Sequence, residues 1–164
     1  MNINFSIDAI DLQLLDLLQT DASLSNLDLA ERVHVSPPTC LRRVRRLQES
    51  GLIERQVALL QPDRLAALQG HGLSTIVEVT LDRQGAEHLD AFQARAVADE
   101  AVQQCWRVSP GPDFVLVVHT RDMPGYLALS QRLLTQDANV RNVKAFFATQ
   151  RAKFETKLAI ARNR

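Results

Sequence analysis

Apolar residues recur at helical spacing near the start of the chain, where Ile10, Leu14, Leu17 and Leu18 fall on one side of a helix. That stripe predicts an amphipathic helix over 8–20, with Asp8 placed to accept from its free N–H groups. Ser25 with Asp28 three residues on has the arrangement of a capping box, and Leu27, Leu29, Ala30 and Val33 give the short helix that follows a buried side. Ser36 and Pro37 mark a third start, because proline's missing N–H is harmless in a first turn and its φ is already helical. Cys40, Leu41, Val44 and Leu47 form the apolar side of this helix, which Gly51 stops after Ser50. Three short helices, with a turn of about three residues between the second and third, make a helix-turn-helix pattern.

From Ile53 the period changes to two, and Ile53, Val57 and Leu59 predict a short strand that ends at Pro62. Residues 61–72, with Pro62, Gly70 and Gly72, read as a linker between a first domain over 1–60 and a second over 73–164. In the second domain, β-branched alternation over 73–81 precedes a helix containing Leu89, Phe92 and Ala96. Strands over 101–109 and 114–120 are joined by Pro110, Gly111 and Pro112, a composition suited to a hairpin loop. Asp122 caps a helix carrying Tyr126, Leu129, Leu133 and Leu134, and 143–149 reads as a last strand. The order β-α-β-β-α-β is that of a ferredoxin-like sandwich, so the fold class is α+β: a winged-type helix-turn-helix domain followed by a ferredoxin-like domain. Residues 114–118 are apolar on both faces of their strand, whereas helices cover a four-stranded sheet on one side. The economical cover for the second face is the same sheet of another subunit, which predicts a homodimer. The tail over 151–164 is basic and compatible with either strand or helix.

Composition narrows the classes. With 164 residues, 46% hydrophobic and 23% charged, the chain has soluble globular proportions and can bury a core without disulfides or metal. Aromatic residues are 5%, so aliphatic side chains must fill that core. The 19 Lys and Arg balance 19 Asp and Glu, which on average speaks against a nucleic-acid partner. The distribution says otherwise: Arg42, Arg43, Arg45 and Arg46 cluster within five positions, after a run of acids that includes Asp8, Asp11, Asp16, Asp21, Asp28 and Glu31. Cys40 and Cys105 lack the spacing of a disulfide framework or a zinc site and read as inert thiols of a reducing compartment. His71, His88 and His119 show no metal-ligand spacing. No signal-peptide pattern and no membrane-length apolar run is present, so the expected location is the cytoplasm, off the membrane.

With these elements in this order, the chain resembles the Lrp/AsnC family of bacterial and archaeal transcription regulators, from about residue 7 to 160. The run SPPTCLRRVRRLQESGLI over 36–53 is similar to the family's recognition-helix signature. The second half is similar to its effector-binding domain, and Gln104, Cys105, Ser109 and Asp113 match the strand-turn-strand that carries the family's ligand loop. Two departures stand out. His34 occupies the interhelical turn where the family has glycine, a position that wants φ > 0. The loop reads SPGPD over 109–113 where the family pattern is Ser-Gly-x-x-Asp, so its glycine is displaced by one and two prolines stiffen it.

The resemblance implies double-stranded DNA as partner, read by exposed residues of the third helix: Ser36, Pro38, Thr39, Arg42, Arg43 and Arg46. Of these, Arg42 is assigned to bases and Arg46 to phosphate, since arginine serves either role; a merely solvated charged face is the alternative. It further implies a pocket between subunits for an amino-acid effector, lined by Arg107, Asp113, Met123, Phe146 and Phe147. There Gly111 would turn backbone N–H groups to a carboxylate and Asp113 would accept from an α-ammonium. Core packing for Met123 and Phe147, and turn capping for Asp113, are the competing roles. Arg107, where the family is apolar, either pairs with Asp113 and closes the pocket or selects an acidic ligand. Trp106 reads as a sheet or interface residue. The function implied is a sequence-specific transcription regulator, a dimer assembling to octamers, without cofactor, metal or enzymatic activity. Two alternatives stay open: an architectural DNA-binding protein without effector, which the stiffened loop favours, and an enzyme similar to the sirohaem decarboxylases, which the Arg-rich helix disfavours.

Overall fold

The computed structural model describes residues 6–70 and 72–160, so His71 lies outside the described residues. The chain divides into two units, one formed by the chain up to Leu59 together with the tail from Lys153, the other by Leu60–Ala152.

In the first unit each helix begins where a side chain can take up its unpaired N–H groups. The helix α1 (Ala9–Thr20) opens at Asp8, whose Oδ1 accepts from the N–H groups of Ile10 and Asp11, while the Asp11 side chain accepts from the Asp8 N–H. Ser25 and Asp28 form the same reciprocal box at the start of α2 (Asn26–Arg32). The next helix, α3 (Pro37–Glu49), begins on two prolines; its preceding Ser36 makes no side-chain cap and its Oγ donates to Thr39 Oγ1 at 2.9 Å. Leu14, Leu18, Leu29, Ala30, Val33, Cys40 and Leu47 form the core, with Val44 packed against it. Leu27 and Leu41, predicted on buried sides, are exposed, because three short helices enclose a narrower stripe than the period alone suggests. Among the described residues His34 alone is a non-glycine residue at positive φ, 55°, in the turn between α2 and α3.

Three segments differ from the sequence reading. The strand predicted over 53–59 does not form: the chain is extended, but a ladder needs a neighbour, and no described segment pairs with it, leaving Val57 and Leu59 exposed. Residues 61–72, read as a linker, hold a helix, α4 (Pro62–Gln69), again with proline in the first turn and ended by Gly70 at φ 100°. The tail is neither strand nor helix over its described part, and from Lys153 on it groups with the first unit, not the second. Gln19 holds it, its amide donating to the Leu158 carbonyl at 2.8 Å and accepting from the Leu158 N–H at 2.9 Å, while Lys157 reaches Asp16 at 3.0 Å.

The second unit runs β1 (Leu73–Leu81), α5 (Ala86–Ala98), β2 (Val102–Arg107), β3 (Phe114–Thr120), α6 (Met123–Leu129), a π-helical continuation over Ser130–Thr135, and β4 (Val140–Phe147). The strands pair antiparallel in the order β2-β3-β1-β4, the ferredoxin-like arrangement. Period two sorts the side chains: Val77, Val79, Leu81, Phe114, Leu116 and Val118 face the helices and pack on Phe92, Ala96, Tyr126, Leu129, Leu133 and Leu134. The rings of Phe92 and Phe114 lie 4.8 Å apart at the centre. The opposite face carries Ile76, Trp106 and Phe146 at 45, 58 and 51% exposure, alongside half-buried Val115 and Val117. Helices of this unit therefore cover one face of the sheet and leave the second face open, where this apolar patch lies beside the Glu78–Lys144 pair.

Candidate nucleic-acid interface and ligand loop

On α3, Cys40, Val44 and Leu47 turn inward, so Pro38, Arg42 and Arg45, spaced four and three residues apart, share the outward side. Ser36, Pro38, Arg42 and Arg45 are exposed and Thr39 is half-buried. Neither Arg42 nor Arg45 has an ion-pair partner among the described residues, which leaves both guanidinium groups available to an anion or a base edge.

Arg43 and Arg46 are placed differently. Arg43 Nη1 lies 2.9 and 2.8 Å from the two Asp8 oxygens and 2.9 Å from Asp11 Oδ1, and Arg46 Nη2 lies 2.5 Å from Asp11 Oδ2. Asp11 is fully buried and the Arg43 side chain is 19% exposed, so the cluster braces α3 against the start of α1 in a partly dry setting. The Asp8 carboxyl is held below the usual carboxylate range, first by the Asp11 N–H and further by Arg43, against the upward pull of desolvation. Arg43 is raised by its bonds to Asp11 and Asp8. Arg43, read from the sequence as a DNA contact, thus points back into its own domain, and Arg46, assigned to phosphate, holds Asp11. Arg45, part of the arginine cluster but not among the contacts that the resemblance implies, is exposed, and its place opposite Cys40 and Leu47 on the helical wheel is the signal for it.

The predicted effector residues fall into two groups. In the β2–β3 loop, which contains a cis Ser109–Pro110 bond, Gly111 has φ 125°. Asp113 stitches this loop to β1: its Oδ2 accepts from the Leu81 N–H at 2.7 Å and from Gln84 Nε2 at 3.3 Å, and its N–H donates to the Val79 carbonyl at 2.9 Å. Arg107 does not pair with Asp113. Its Nη2 lies 2.6 Å from Asp90 Oδ1 on α5, and its guanidinium sits 5.7 Å from the Phe114 ring. At the other end of the sheet, Phe147 packs edge-on against Tyr126 with ring centres 5.0 Å apart, and Met123 is exposed at the start of α6. Phe146 lies on the opposite face from Phe147, as neighbours along a strand must. By register, Phe147 pairs with Thr75 whereas Asp113 bonds at Val79, a separation along β1 of about 13 Å at ~3.3 Å per residue. One chain therefore does not gather Arg107, Gly111 and Asp113 with Met123, Phe146 and Phe147. Burial pushes both the Cys40 and Cys105 thiols up, away from reactivity.

The chain matches the winged helix-turn-helix DNA-binding family over residues 7–54 and the Lrp/AsnC ligand binding domain over residues 74–158. It is 34% identical over 154 residues to the leucine-responsive regulatory protein of Escherichia coli strain K12, covering 94% of this chain and 92% of that one. To the leucine-responsive regulatory protein of Rhizobium meliloti it is 35% identical over 153 residues, with 93 and 96% covered. Among solved structures, a transcriptional regulator of Neisseria meningitidis in complex with L-Met superposes with a TM-score of 0.82 at 27% identity, covering 94% of this chain and 97% of the other. An AsnC family transcriptional regulator of Agrobacterium tumefaciens gives the same TM-score, 0.82, at 29% identity, with 93 and 97% covered.

Proposed function

This chain belongs to the Lrp/AsnC family of DNA-binding transcription regulators with a ligand-binding domain, and from that premise we propose that it acts as a homodimer that reads DNA through Arg42 and Arg45 and answers to an amino acid. The observation that carries the reading is the outward stripe of Pro38, Arg42 and Arg45 on a helix braced from behind. A helix of this width enters the major groove, where arginine bonds guanine O6 and N7 or clamps a phosphate.

The uncovered apolar sheet face supports the dimer, because Ile76, Trp106 and Phe146 together make a patch of the kind that a second copy covers. A two-fold axis would present two recognition helices to a pseudo-palindromic site. The split of the effector residues supports a ligand site between copies, with the Gly111 loop of one copy meeting Met123 and Phe146 of another. An amino acid suits that loop chemically, and the Neisseria meningitidis relative is an L-Met complex. Assembly of dimers to octamers and work on the nucleoid in the cytoplasm complete the proposal. The named relatives are regulators, and no catalytic step is assigned to this chain.

Footprinting on the chain's own upstream region, with and without each amino acid, tests this reading alongside sedimentation of the protein. Protected half-sites about 10 bp apart or a multiple of it are expected, changing with at least one amino acid. That ligand, at a hundred times its Kd, should stabilise the fold by about 2.7 kcal/mol. A monomer at micromolar concentration refutes the dimer, and uniform protection without any ligand response points to the architectural role.

A further inference from the structure

Four arginines within 42–46 give α3 more positive charge than reading a few bases requires. Each arginine free to neutralise a phosphate makes binding stronger on every sequence alike, and steepens the fall of log K with log salt by about 0.9. Such contacts position a protein without specifying a site. In this chain two of the four are tied to α1. Both oxygens of Asp8 face Arg43, and the two oxygens of Asp11 face different arginines, Oδ1 towards Arg43 and Oδ2 towards Arg46.

The tie is not easily undone by a passing phosphate. Asp11 is fully buried, so drawing the arginines away would leave a buried carboxylate without its compensating charge. Asp8 is half exposed and is also the cap of α1, which fixes its direction. We propose that Asp8 and Asp11 are positioning residues for DNA recognition: by holding Arg43 and Arg46 against α1 they lower the sequence-independent pull of the helix on phosphate and leave the reading of the site to Arg42 and Arg45. This rests on the DNA-binding reading above and adds to it that two acids set the ratio of specific to non-specific affinity.

The test compares the unaltered full chain, Asp8→Asn, the double variant Asp8→Asn/Asp11→Asn and Asp21→Asn on a preferred fragment and on a scrambled one across a salt series, because Asp11 Oδ1 still lies 2.9 Å from Arg43 when Asp8 alone is neutralised. Asparagine keeps a capping oxygen, so α1 is still capped from residue 8; should a variant fail to fold, Asp8→Ser supplies the same cap without charge. Asp21 lies at the far end of α1 and accepts from Ser23, so its replacement changes net charge equally without touching an arginine of α3. The expected result for Asp8→Asn/Asp11→Asn is a salt slope steeper by up to about 0.9 for each arginine freed and a several-fold smaller preference for the specific fragment, because scrambled DNA gains most, while Asp8→Asn alone gives at most the Arg43 part of that change. Asp21→Asn should leave both unchanged. An unchanged slope and preference in Asp8→Asn/Asp11→Asn, or the same change in Asp21→Asn, overturns the proposal while leaving DNA binding intact. Absence of salt-dependent binding by the unaltered chain refutes the DNA-binding reading itself.

Discussion

Replacing Trp106 by alanine tests whether the open sheet face is where two copies meet. Trp106 is 58% exposed on β2, and its Nε1 donates to Gln104 Oε1 at 3.0 Å in an exposed bond, so truncation removes apolar area and frees only a side-chain oxygen that water can reach. An aromatic side chain presents about 150–250 Å², which leaves roughly 90–145 Å² of Trp106 in water in the isolated chain. If a partner covers half of that, two symmetric copies together bury about 90–145 Å², worth roughly 2–4 kcal/mol at about 25 cal/mol per Å². The dimer should then weaken roughly 30- to 900-fold, read by sedimentation equilibrium or by dilution of a fluorescently labelled chain. Val97→Ala, which truncates an exposed residue on the outward side of α5, is the control and should leave the dimer constant unchanged. An unchanged constant in Trp106→Ala would refute the placement of the interface on this face.

Further outcomes follow from the same geometry. His34→Gly relieves a left-handed residue at φ 55° and should raise stability by about 1 kcal/mol in thermal unfolding, while His34→Val should lower it. Arg42→Ala or Arg45→Ala should weaken specific DNA binding by about 1–3 kcal/mol if the side chain bonds a base, or flatten the salt slope by about 1 if it bonds phosphate. Arg132 donates to Asp99 through Nε at 2.7 Å and Nη2 at 2.8 Å, and holds that carboxyl below its ordinary value of 3.8. A depressed folded-state value stabilises fully above 3.8 and loses its effect as pH falls through the lower folded value, so the stability gap between the unaltered chain and Arg132→Gln should close on acidification below that point. Urea titrations from neutral pH downward measure it.

What the sequence made legible was local. Caps at Asp8 and Ser25, prolines at the start of α3 and the positive φ at His34 depend on residues within a few positions of one another, and all stand in the structure as the sequence implies. The sheet order followed from the alternation of strands and helices with short connections. Apart from α4, a local helix within the span read as a linker, the misses concern partners far apart in the chain. Arg43 and Arg46 meet acids 35 or 32 residues away, and no periodicity says towards which neighbouring helix a guanidinium turns. Arg107 finds Asp90 across 17 residues, whereas the nearer Asp113 is one of the two partners that its place in the sequence suggests, the other being an acidic ligand. Val57 and Leu59 show the converse failure: their period fits a strand, yet a strand exists only where another chain segment supplies its hydrogen bonds. Phe146 and Phe147, grouped in one pocket by motif, are separated by the pleat itself.

The most direct test of the account is equilibrium binding of the full chain to its own upstream fragment and to a scrambled fragment of equal composition, followed across salt. A linear fall of log K with log salt is expected on both, with the upstream fragment preferred by about a thousandfold or more at physiological salt. Equal affinity for the two fragments, or binding indifferent to salt, would contradict a regulator that reads its site through Arg42 and Arg45.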